Sequence, residues 1–482
     1  MLRPSSSAGA LFRMGVIIDT YRLSFRWSFR VDRMNIVIIG AGRIGYNIAR
    51  ILASKHSVMV VEKDEKRFEH VVNTLDVGAI HANGASPRTL QGILRNHVDL
   101  FMAVSERDET NIFACMLAKK MRPDLVTLAR MRELDYTEGD LVSSFLNVDQ
   151  VISPEYLMAR KMMQIAMLEN VIDYNAIPSR GLEIAKFRMS HNLQGIASIP
   201  LKHLPLPGES KILFLHRNGK TLEPRGDEVL LTGDEIVVIA KEGGIAEFNS
   251  FLGTTKSSRD ILIIGGGVMA QYLVSMLEER ENVSIRLIEE DEDLCRELSQ
   301  KFSRTIVIND NGADPLVLRN ENVGMTDVMV CATGNEESDL LAGLVGKHLG
   351  VSKTITSYSN PDYKEIFQMV GIDSAISFYE VVANAIVKQT VPDHDVLILM
   401  EGFQKELISV DVGRHSRVRD ELIRDIDMPP KSVIAMVLTK DGAIIPEPNV
   451  RILEGDALLL YADRSDTGVL ERLFSTRIPM SP

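Results

Sequence analysis

A chain of 482 residues is longer than one compact domain and points to about three or four units, each long enough to bury its own core. Its 45% apolar and 25% charged residues are those of folded globular domains, not of a disordered chain, and no stretch approaches the ~18 consecutive apolar residues that span a bilayer. A net charge of −12 argues against a dominant nucleic-acid surface, which needs clustered Lys and Arg. Cys115, Cys295 and Cys331 are widely spaced with no CxxC pair, which fits buried thiols in a reducing cytoplasm instead of disulfides or zinc.

Residues 1–33 differ from the remainder of the chain. Arg3, Arg13, Arg22, Arg26, Arg30 and Arg33 face only Asp19 and Asp32 there, so removing their +4 from −12 leaves −16 on residues 34–482. The apolar patch Leu11–Ile18 is broken by Arg13 and lacks the flanks of a secretory signal. The expectation is a poorly ordered extension, such as a start codon misassigned upstream would add, with a basic arm touching anionic lipid as the sharper alternative.

Met34 opens the first strand. Ile36–Ile39, Ser57–Val61, Ala79–His81, Leu100–Val104 and Val126–Ala129 read as short β-branched strands, and Arg43–Ala53 and Thr110–Met121 as helices between them. That alternation predicts a doubly wound parallel sheet, whose ligands sit at the carboxyl ends of the strands. Pro154–Glu169 then places Met158, Met162, Ile165 and Leu168 on one side of a helix, either buried on its own domain or forming an assembly face. Asn218-Gly219 supplies a hairpin turn, and Gly233-Asp234 leads into the apolar strand Glu235–Val238.

After the polar run Gly253–Asp260 the pattern returns. Ile36-Val37-Ile38-Ile39-Gly40-Ala41-Gly42-Arg43-Ile44-Gly45 is answered by Ile261-Leu262-Ile263-Ile264-Gly265-Gly266-Gly267-Val268-Met269-Ala270 at an offset of 225. Val60-Val61-Glu62 returns as Leu287-Ile288-Glu289 at 227, Asn83-Gly84-Ala85-Ser86-Pro87 as Asn311-Gly312-Ala313-Asp314-Pro315 at 228, and Asp135-Tyr136 as Asp362-Tyr363 at 227. Asp441-Gly442 and Gly455–Leu460 repeat the hairpin and strand at offsets of 223 and 222. A drift of a few residues is what loop insertions produce in a duplicated module. The expected division is 1–33, an extension; 34–152 and 259–376, two nucleotide-binding α/β domains; and 153–252 and 377–480, two smaller α+β domains.

A lone GxGxxG is weak, but here it follows a strand, opens a helix and is repeated. Gly40 permits the tight turn, Gly42 lets backbone approach a diphosphate, and Gly45 allows close helix packing. Glu62, 22 residues after Gly40, can accept bonds from both ribose hydroxyls and would repel a 2′-phosphate, favouring NAD-type or adenosine nucleotides over NADP. The second copy keeps Gly265, Gly267 and Glu289 but has Ala270 at the third glycine position. Arg43 adds a cation beside the phosphates where the second copy has Val268, and the second copy has Ser357 where the first has Arg130, so the two sites are unequal. Asn83, Ser105 and Glu109 are further polar groups at strand ends.

With GAGRIG, VVE, NGAS and SERDETN in one copy and GGGVMA, LIE, NGAD and TGNEESD in the other, the chain resembles the TrkA family of Trk-type potassium-uptake regulatory proteins. It is similar to two consecutive regulator-of-potassium-conductance (RCK) units over residues 34 to about 475. The resemblance implies tandem Rossmann-like N-domains, each followed by a small α+β RCK-C domain. It also implies a cytoplasmic subunit, peripheral on the inner face of the plasma membrane, that forms a homo-oligomeric ring, a tetramer of tandem subunits, beneath a Trk-type membrane potassium channel or transporter. NAD(H) and ATP or ADP on the N-domains would shift that ring between shapes. Nucleotide contacts are implied for Gly40, Ala41, Gly42, Arg43, Ile44, Gly45, Glu62, Asn83, Gly84, Ser105 and Arg130. Their second-copy counterparts are Gly265, Gly266, Gly267, Val268, Met269, Glu289, Asn311, Gly312 and Thr333. The departures at Val268, Ala270 and Ser357 weaken the expectation of a triphosphate in the second copy.

The competing reading is an NAD-dependent oxidoreductase, which needs a positioned proton donor. The histidines of the smaller domains, His191, His203, His216, His394 and His415, do not recur at matching repeat positions, so a binding module whose nucleotide changes shape without reacting is expected. Arg43 is the expected discriminator between nucleotides, bridging a terminal phosphate to a neighbouring subunit in one ring shape only.

Overall fold

A computed structural model describes residues 33–53, 56–132, 146–189, 196, 199–207, 209–222, 224, 226–253, 259–360, 362–390, 396–400, 405–414, 416–430, 432–466, 469, 470 and 474. The arginine-rich extension up to residue 32, Asp135-Tyr136, His191, His394 and His415 lie outside the described residues. The chain divides into two units, residues 1–154 and 155–482.

The first unit is built on six parallel strands: β1 (Asn35–Ile39), β2 (Ser57–Glu62), β3 (Gly78–His81), β4 (Leu100–Ala103), β5 (Val126–Arg130) and β6 (Gln150–Ile152). Their order in space is β3-β2-β1-β4-β5-β6, so the chain reverses direction of travel between β1 and β4. That switch point is where an open α/β sheet presents a crevice. Among the described residues, the helices between the strands are α1 (Arg43–Leu52), α2 (Glu65–Thr74), α3 (Pro87–Ile93) and α4 (Asp108–Met121). β1 and β4 are covered on both faces and read as continuous apolar runs, with Ile36, Ile38, Leu100 and Phe101 buried. Val37, Ile39, Phe101, Leu90, Ala114 and Leu125 belong to one core cluster.

Strand ends fall within one residue of those read from sequence. Helix α4 starts two residues earlier, because Asp108 and Glu109 occupy its first turn, where the helix dipole favours acids. β6 is only three residues long and gave no periodic signal. Its register against β5 is set by Asp149, which accepts from Thr127 N (2.8 Å) and pairs with Lys119 (2.8 Å).

The second unit begins with α5 (Pro154–Met167), whose first residue closes the first unit. Met158, Met162 and Ile165 are fully buried and belong to the core, whereas Leu168, the fourth residue of the expected stripe, lies past the helix end and is only half-buried. An antiparallel sheet comes next, of β7 (Val171–Ile177), β8 (Leu182–Arg188), β9 (Lys211–Arg217), β10 (Lys220–Leu222) and β11 (Glu235–Lys241), in the order β10-β9-β11-β8-β7, with helix α6 (Gly244–Phe251). Asn218 and Gly219 both take positive φ, 51° and 73°, which is the two-residue hairpin the dipeptide signalled.

A second six-stranded parallel sheet is made of β12 (Arg259–Ile264), β13 (Val283–Glu289), β14 (Thr305–Asn309), β15 (Val328–Cys331), β16 (Lys353–Tyr358) and β17 (Ser374–Ser377). It is ordered β14-β13-β12-β15-β16-β17, as in the first unit. Its helices are α7 (Val268–Glu278), α8 (Glu292–Lys301), α9 (Pro315–Asn320), α10 (Glu336–Leu349) and α11 (Tyr363–Met369). The edge network also repeats: Asp373 accepts from Thr354 N (2.8 Å) and pairs with Lys347 (2.9 Å). Helix α12 (Phe378–Thr390) leads to the last antiparallel sheet, of β18 (Val396–Met400), β19 (Lys405–Asp411), β20 (Val433–Thr439), β21 (Gly442–Ile444) and β22 (Ala457–Asp463), ordered β18-β19-β22-β20-β21.

The second hairpin departs from the sequence reading. Gly442 already belongs to β21, opposite Thr439, so Lys440 and Asp441 form the turn. Thr439 shapes it, its hydroxyl accepting from Asp441 N (3.2 Å) and donating to Gly442 O (3.0 Å).

Two features of this unit were not visible in the sequence. The two antiparallel sheets share one core, in which Ile184, Phe214 and Val237 of one cluster with Leu407, Met436 and Tyr461 of the other. The rings of Phe214 and Tyr461 lie 5.3 Å apart. The parallel sheet is also tied to the first antiparallel sheet, since Ser374 Oγ donates to Ile172 O (2.7 Å) and Arg188 bridges Glu235 (2.8 Å) and Asp373 (3.4 Å). Lys353, buried at the start of β16, donates to the carbonyls of Ile165 (2.7 Å), Leu168 (2.8 Å) and Val171 at the end of α5 and the start of β7.

Candidate functional site

The two glycine loops sit at the switch points of the parallel sheets. Gly40 has φ +96° and Gly265 φ +98°, the left-handed region that glycine tolerates. Close approach adds a second reason. A Cβ on Gly40 would lie 3.0 Å from Ser105 Cα, and one on Gly265 2.7 Å from Thr333 Cα, so each loop packs backbone against backbone on the loop after β4 or β15. At Gly45 a Cβ would fall 1.9 Å from the carbonyl oxygen of Gly40, which makes glycine obligatory there. Ala270 carries that Cβ in the second copy and is itself fully buried, so the second loop has room where the first has none.

Gly42 and Gly267 are different. Their φ values, −61° and −62°, suit any residue, and a Cβ on Gly267 would meet nothing within 4 Å. At Gly42 it would meet only side-chain ends, Arg67 Nη1 at 3.5 Å and Glu106 Oε1 at 3.8 Å. The fold does not require glycine at either place, and the space is left above the start of a helix. Neither α1 nor α7 has a side-chain cap, whereas Asp64 and Asp291 cap α2 and α8. Uncapped first-turn N–H groups at a positive helix end form a cradle suited to phosphate. The residues opening those helices, Arg43 and Ile44 in one, Val268 and Met269 in the other, surround it. Arg43 is exposed, and among the described residues its guanidinium makes no hydrogen bond or ion pair.

The two acids are placed at the ends of β2 and β13, beside the loops. Glu62 is buried; Oε2 accepts from Ala41 N (2.5 Å), and Oε1 from Lys63 N (2.7 Å) and Asp64 N (2.9 Å). Glu289 accepts from Gly266 N (2.6 Å) and Asp291 N (2.9 Å). Each carboxylate therefore fixes its own glycine loop. A carboxylate offers about four acceptor positions, so capacity for ribose hydroxyls remains, more at Glu289 than at Glu62.

Asn83 and Asn311 are exposed and turn their side chains inward on the local backbone, accepting from Ala85 N (3.0 Å) and Ala313 N (2.8 Å). Gly84 and Gly312 are demanded by packing: a Cβ would lie 2.2 Å from Ile39 Cγ2 and 2.4 Å from Ile264 Cγ2. Glu109 is exposed and paired with Arg107 at 3.7 Å. Arg130 is buried at the end of β5, with Nη1 3.4 Å from the Ser105 carbonyl.

Sequence reasoning missed the groups that hold these loops. Asn111 accepts from Ser105 N (2.8 Å) and Ser105 Oγ (2.7 Å) and donates to the carbonyls of Ser105 (3.1 Å) and Arg130 (2.9 Å). Asp339 stands in its place in the second copy. The ion pair Arg67–Glu106 (2.8 Å) reaches over Gly42, where the second copy has Leu294 and Gly334. The repeat alignment carried the signal for all four: a polar residue at one position of both helices, and a charged pair present in one copy only.

Comparisons with known proteins agree with this fold. The TrkA-N domain model matches residues 36–154 and 261–378, and the TrkA-C domain model matches residues 195–253. A Methanosarcina mazei protein, "Trk system potassium uptake protein TrkA homolog 1", is 31% identical over 450 residues, covering 92% of this chain and all of that one. Its name is that of a potassium uptake protein, not of an enzyme. Among solved structures, the GsuK RCK domain is similar with a TM-score of 0.60 at 16% identity, covering 92% of this chain and 96% of that one. The GsuK channel bound to NAD is similar with a TM-score of 0.58 at 15% identity, covering 99% and 90%. These two likenesses establish the fold.

Proposed function

The chain belongs to the TrkA family, and on that footing we propose that it is the nucleotide-binding regulatory subunit of a Trk-type potassium uptake system. The N-domains, 34–152 and 259–376, bind NAD(H) and ATP or ADP, and the smaller domains, 153–252 and 377–480, carry the response. The protein is cytoplasmic, peripheral on the inner face of the plasma membrane, and assembles as a homo-oligomeric ring, a tetramer of tandem subunits, under a membrane potassium channel or transporter.

One observation carries this reading: Gly42 and Gly267 leave open the space above two uncapped helix starts that the fold does not need. The NAD in the structurally similar GsuK channel is consistent with that use. Assembly is supported by an exposed apolar residue at one position of both N-domains, Phe113 on α4 and Leu341 on α10; in the second, Leu344 on α10 and Ile366 and Met369 on α11 are exposed as well. The mechanism is a population shift, since a nucleotide moves the ring only by binding one shape more tightly than another.

Gly42→Val and Gly267→Val are expected to fold normally and each to abolish binding at its own site. Calorimetric titration with NADH and ATP would show one class of sites lost in each variant and both in the double variant; unchanged binding in both would sink the reading. Arg43→Ala is expected to lower ATP affinity by roughly tenfold to a hundredfold, the worth of one charged hydrogen bond, while ADP affinity changes little. Equal losses for the two nucleotides would remove Arg43 as the discriminator.

A further inference from the structure

The two copies hold the loop after the fourth strand of each parallel sheet by the same device, with one atom changed. In the first, Oδ1 of the fully buried Asn111 accepts from the N–H and hydroxyl of Ser105, and Nδ2 donates to the carbonyls of Ser105 and Arg130. In the second, Oδ1 of Asp339, 2% exposed, accepts from the N–H of Thr333 (2.9 Å) and from its hydroxyl (2.7 Å). Where Asn111 has the donor Nδ2, the aligned Asp339 has a second carboxylate oxygen, Oδ2. An ionised carboxylate has no donor to offer, whereas a protonated one carries an O–H. Thr333 is in turn in backbone contact with Gly265, so whatever moves this loop reaches the glycine loop.

We propose that Asp339 is a proton-binding switch of the second N-domain. Protonated, it completes the loop as Asn111 does permanently and holds Thr333 and the glycine loop ready for ligand; ionised, it loosens them. The first site, with an amide at this position, has no such response.

Burial pushes Asp339 up from 3.8 to about 6, the donors of Thr333 act against the rise, and Glu336 on the same helix adds to it. Glu336 is the charged neighbour, its Oε1 held by Ser359 N (2.8 Å). From β15 comes the thiol of Cys331, kept neutral by burial. Strand β16 brings the uncharged Thr354, Thr356 and Ser357, and its Lys353, drawn down to about 7 by burial, titrates in the same range but donates to the carbonyls of α5 and β7 and not to Asp339. No cation among the described residues offsets the switch by direct contact with Asp339.

The test is hydrogen exchange by mass spectrometry on the intact, ligand-free protein. Between pH 5.5 and 7.5, exchange of the segment 331–339, corrected for the intrinsic rate, is expected to accelerate by roughly threefold to tenfold, the effect of half to one unit of pKa coupling. Asp339→Asn should abolish that acceleration, and Asn111→Asp should install it in 103–111. A wild-type segment that does not respond, or a response that survives in Asp339→Asn, overturns the proposal.

A second arm rests on the nucleotide-binding reading: in a Gly42→Val background, NADH affinity is expected to fall over the same range and to stop falling once Asp339→Asn is added. If exchange behaves as expected but NADH binds neither protein, the switch stands and the nucleotide assignment of the second site fails.

Discussion

Gly45→Ala is expected to destabilise the first parallel sheet by about 3 kcal/mol, at the upper end of the cost of overpacking a core, and to abolish nucleotide binding at the first site. The added Cβ would meet the Gly40 carbonyl oxygen at 1.9 Å, the Gly40 carbonyl carbon at 3.0 Å and Val104 Cγ2 at 3.1 Å. The first two are backbone atoms, so no rotamer relieves the clash and α1 must retreat from the loop it opens. The internal control is Ala270→Gly, which removes a Cβ the second copy accommodates and should cost only about 0.5–1 kcal/mol through the entropy of the unfolded chain. Hydrogen exchange of β1 and α1 against β12 and α7 would read the two effects separately. Gly45→Ala with protection and binding of the wild type would mean that α1 does not press on Gly40 as the loop geometry requires.

Lys353→Met is expected to cost about 3–5 kcal/mol in the second unit, the range for removing one partner from a buried charged network. Its ammonium supplies one donor to each of three converging carbonyls, at Ile165, Leu168 and Val171. Methionine matches the length of the stem and leaves all three without that donor in the interior. Burial draws the lysine down to about 7, with Arg259 acting in the same direction, so the site holds its cation against a real desolvation cost. Arginine should not rescue, because a planar fork does not reproduce three tetrahedral donors aimed at one point each. The expected readout is loss of exchange protection in β7, β16 and the end of α5 together; loss in β16 alone would show that the lysine does not join the two sheets. Val126 holds the corresponding place in the first copy, so the tie belongs to the second unit.

The parts of this protein legible in its sequence were those that obey a short-range rule. The parallel sheets could be read because buried strands such as Ile36–Ile39 and Ile261–Ile264 are continuous β-branched runs leading into glycine and a helix. The loops could be read because a repeated Gly, Gly, Gly/Ala spacing has few other uses, and the structure gives Gly40 and Gly45 steric reasons and Gly42 none. What escaped depended on distant parts of the chain. Asn111 and Asp339 sit inside ordinary helical patterns, and only the fold aims them at the loop after the neighbouring strand. Lys353 reads as a surface residue at the start of a strand until α5 is packed over it. The shared core of Phe214 and Tyr461 joins residues far apart in sequence, and alternation alone predicts only that each sheet has an apolar face. Glu62 was read as a ribose acceptor alone, and its grip on Ala41 N became visible only with the loop in place.

The most direct measurement is potassium flux into proteoliposomes holding a Trk-type membrane subunit from the same genome, with and without the purified chain, under ATP and under ADP. Flux that depends on the chain and differs between the two nucleotides, with the difference lost in Gly42→Val, is the expected result. Flux indifferent to the chain, or changed by it equally whatever nucleotide is present, would contradict the regulatory account.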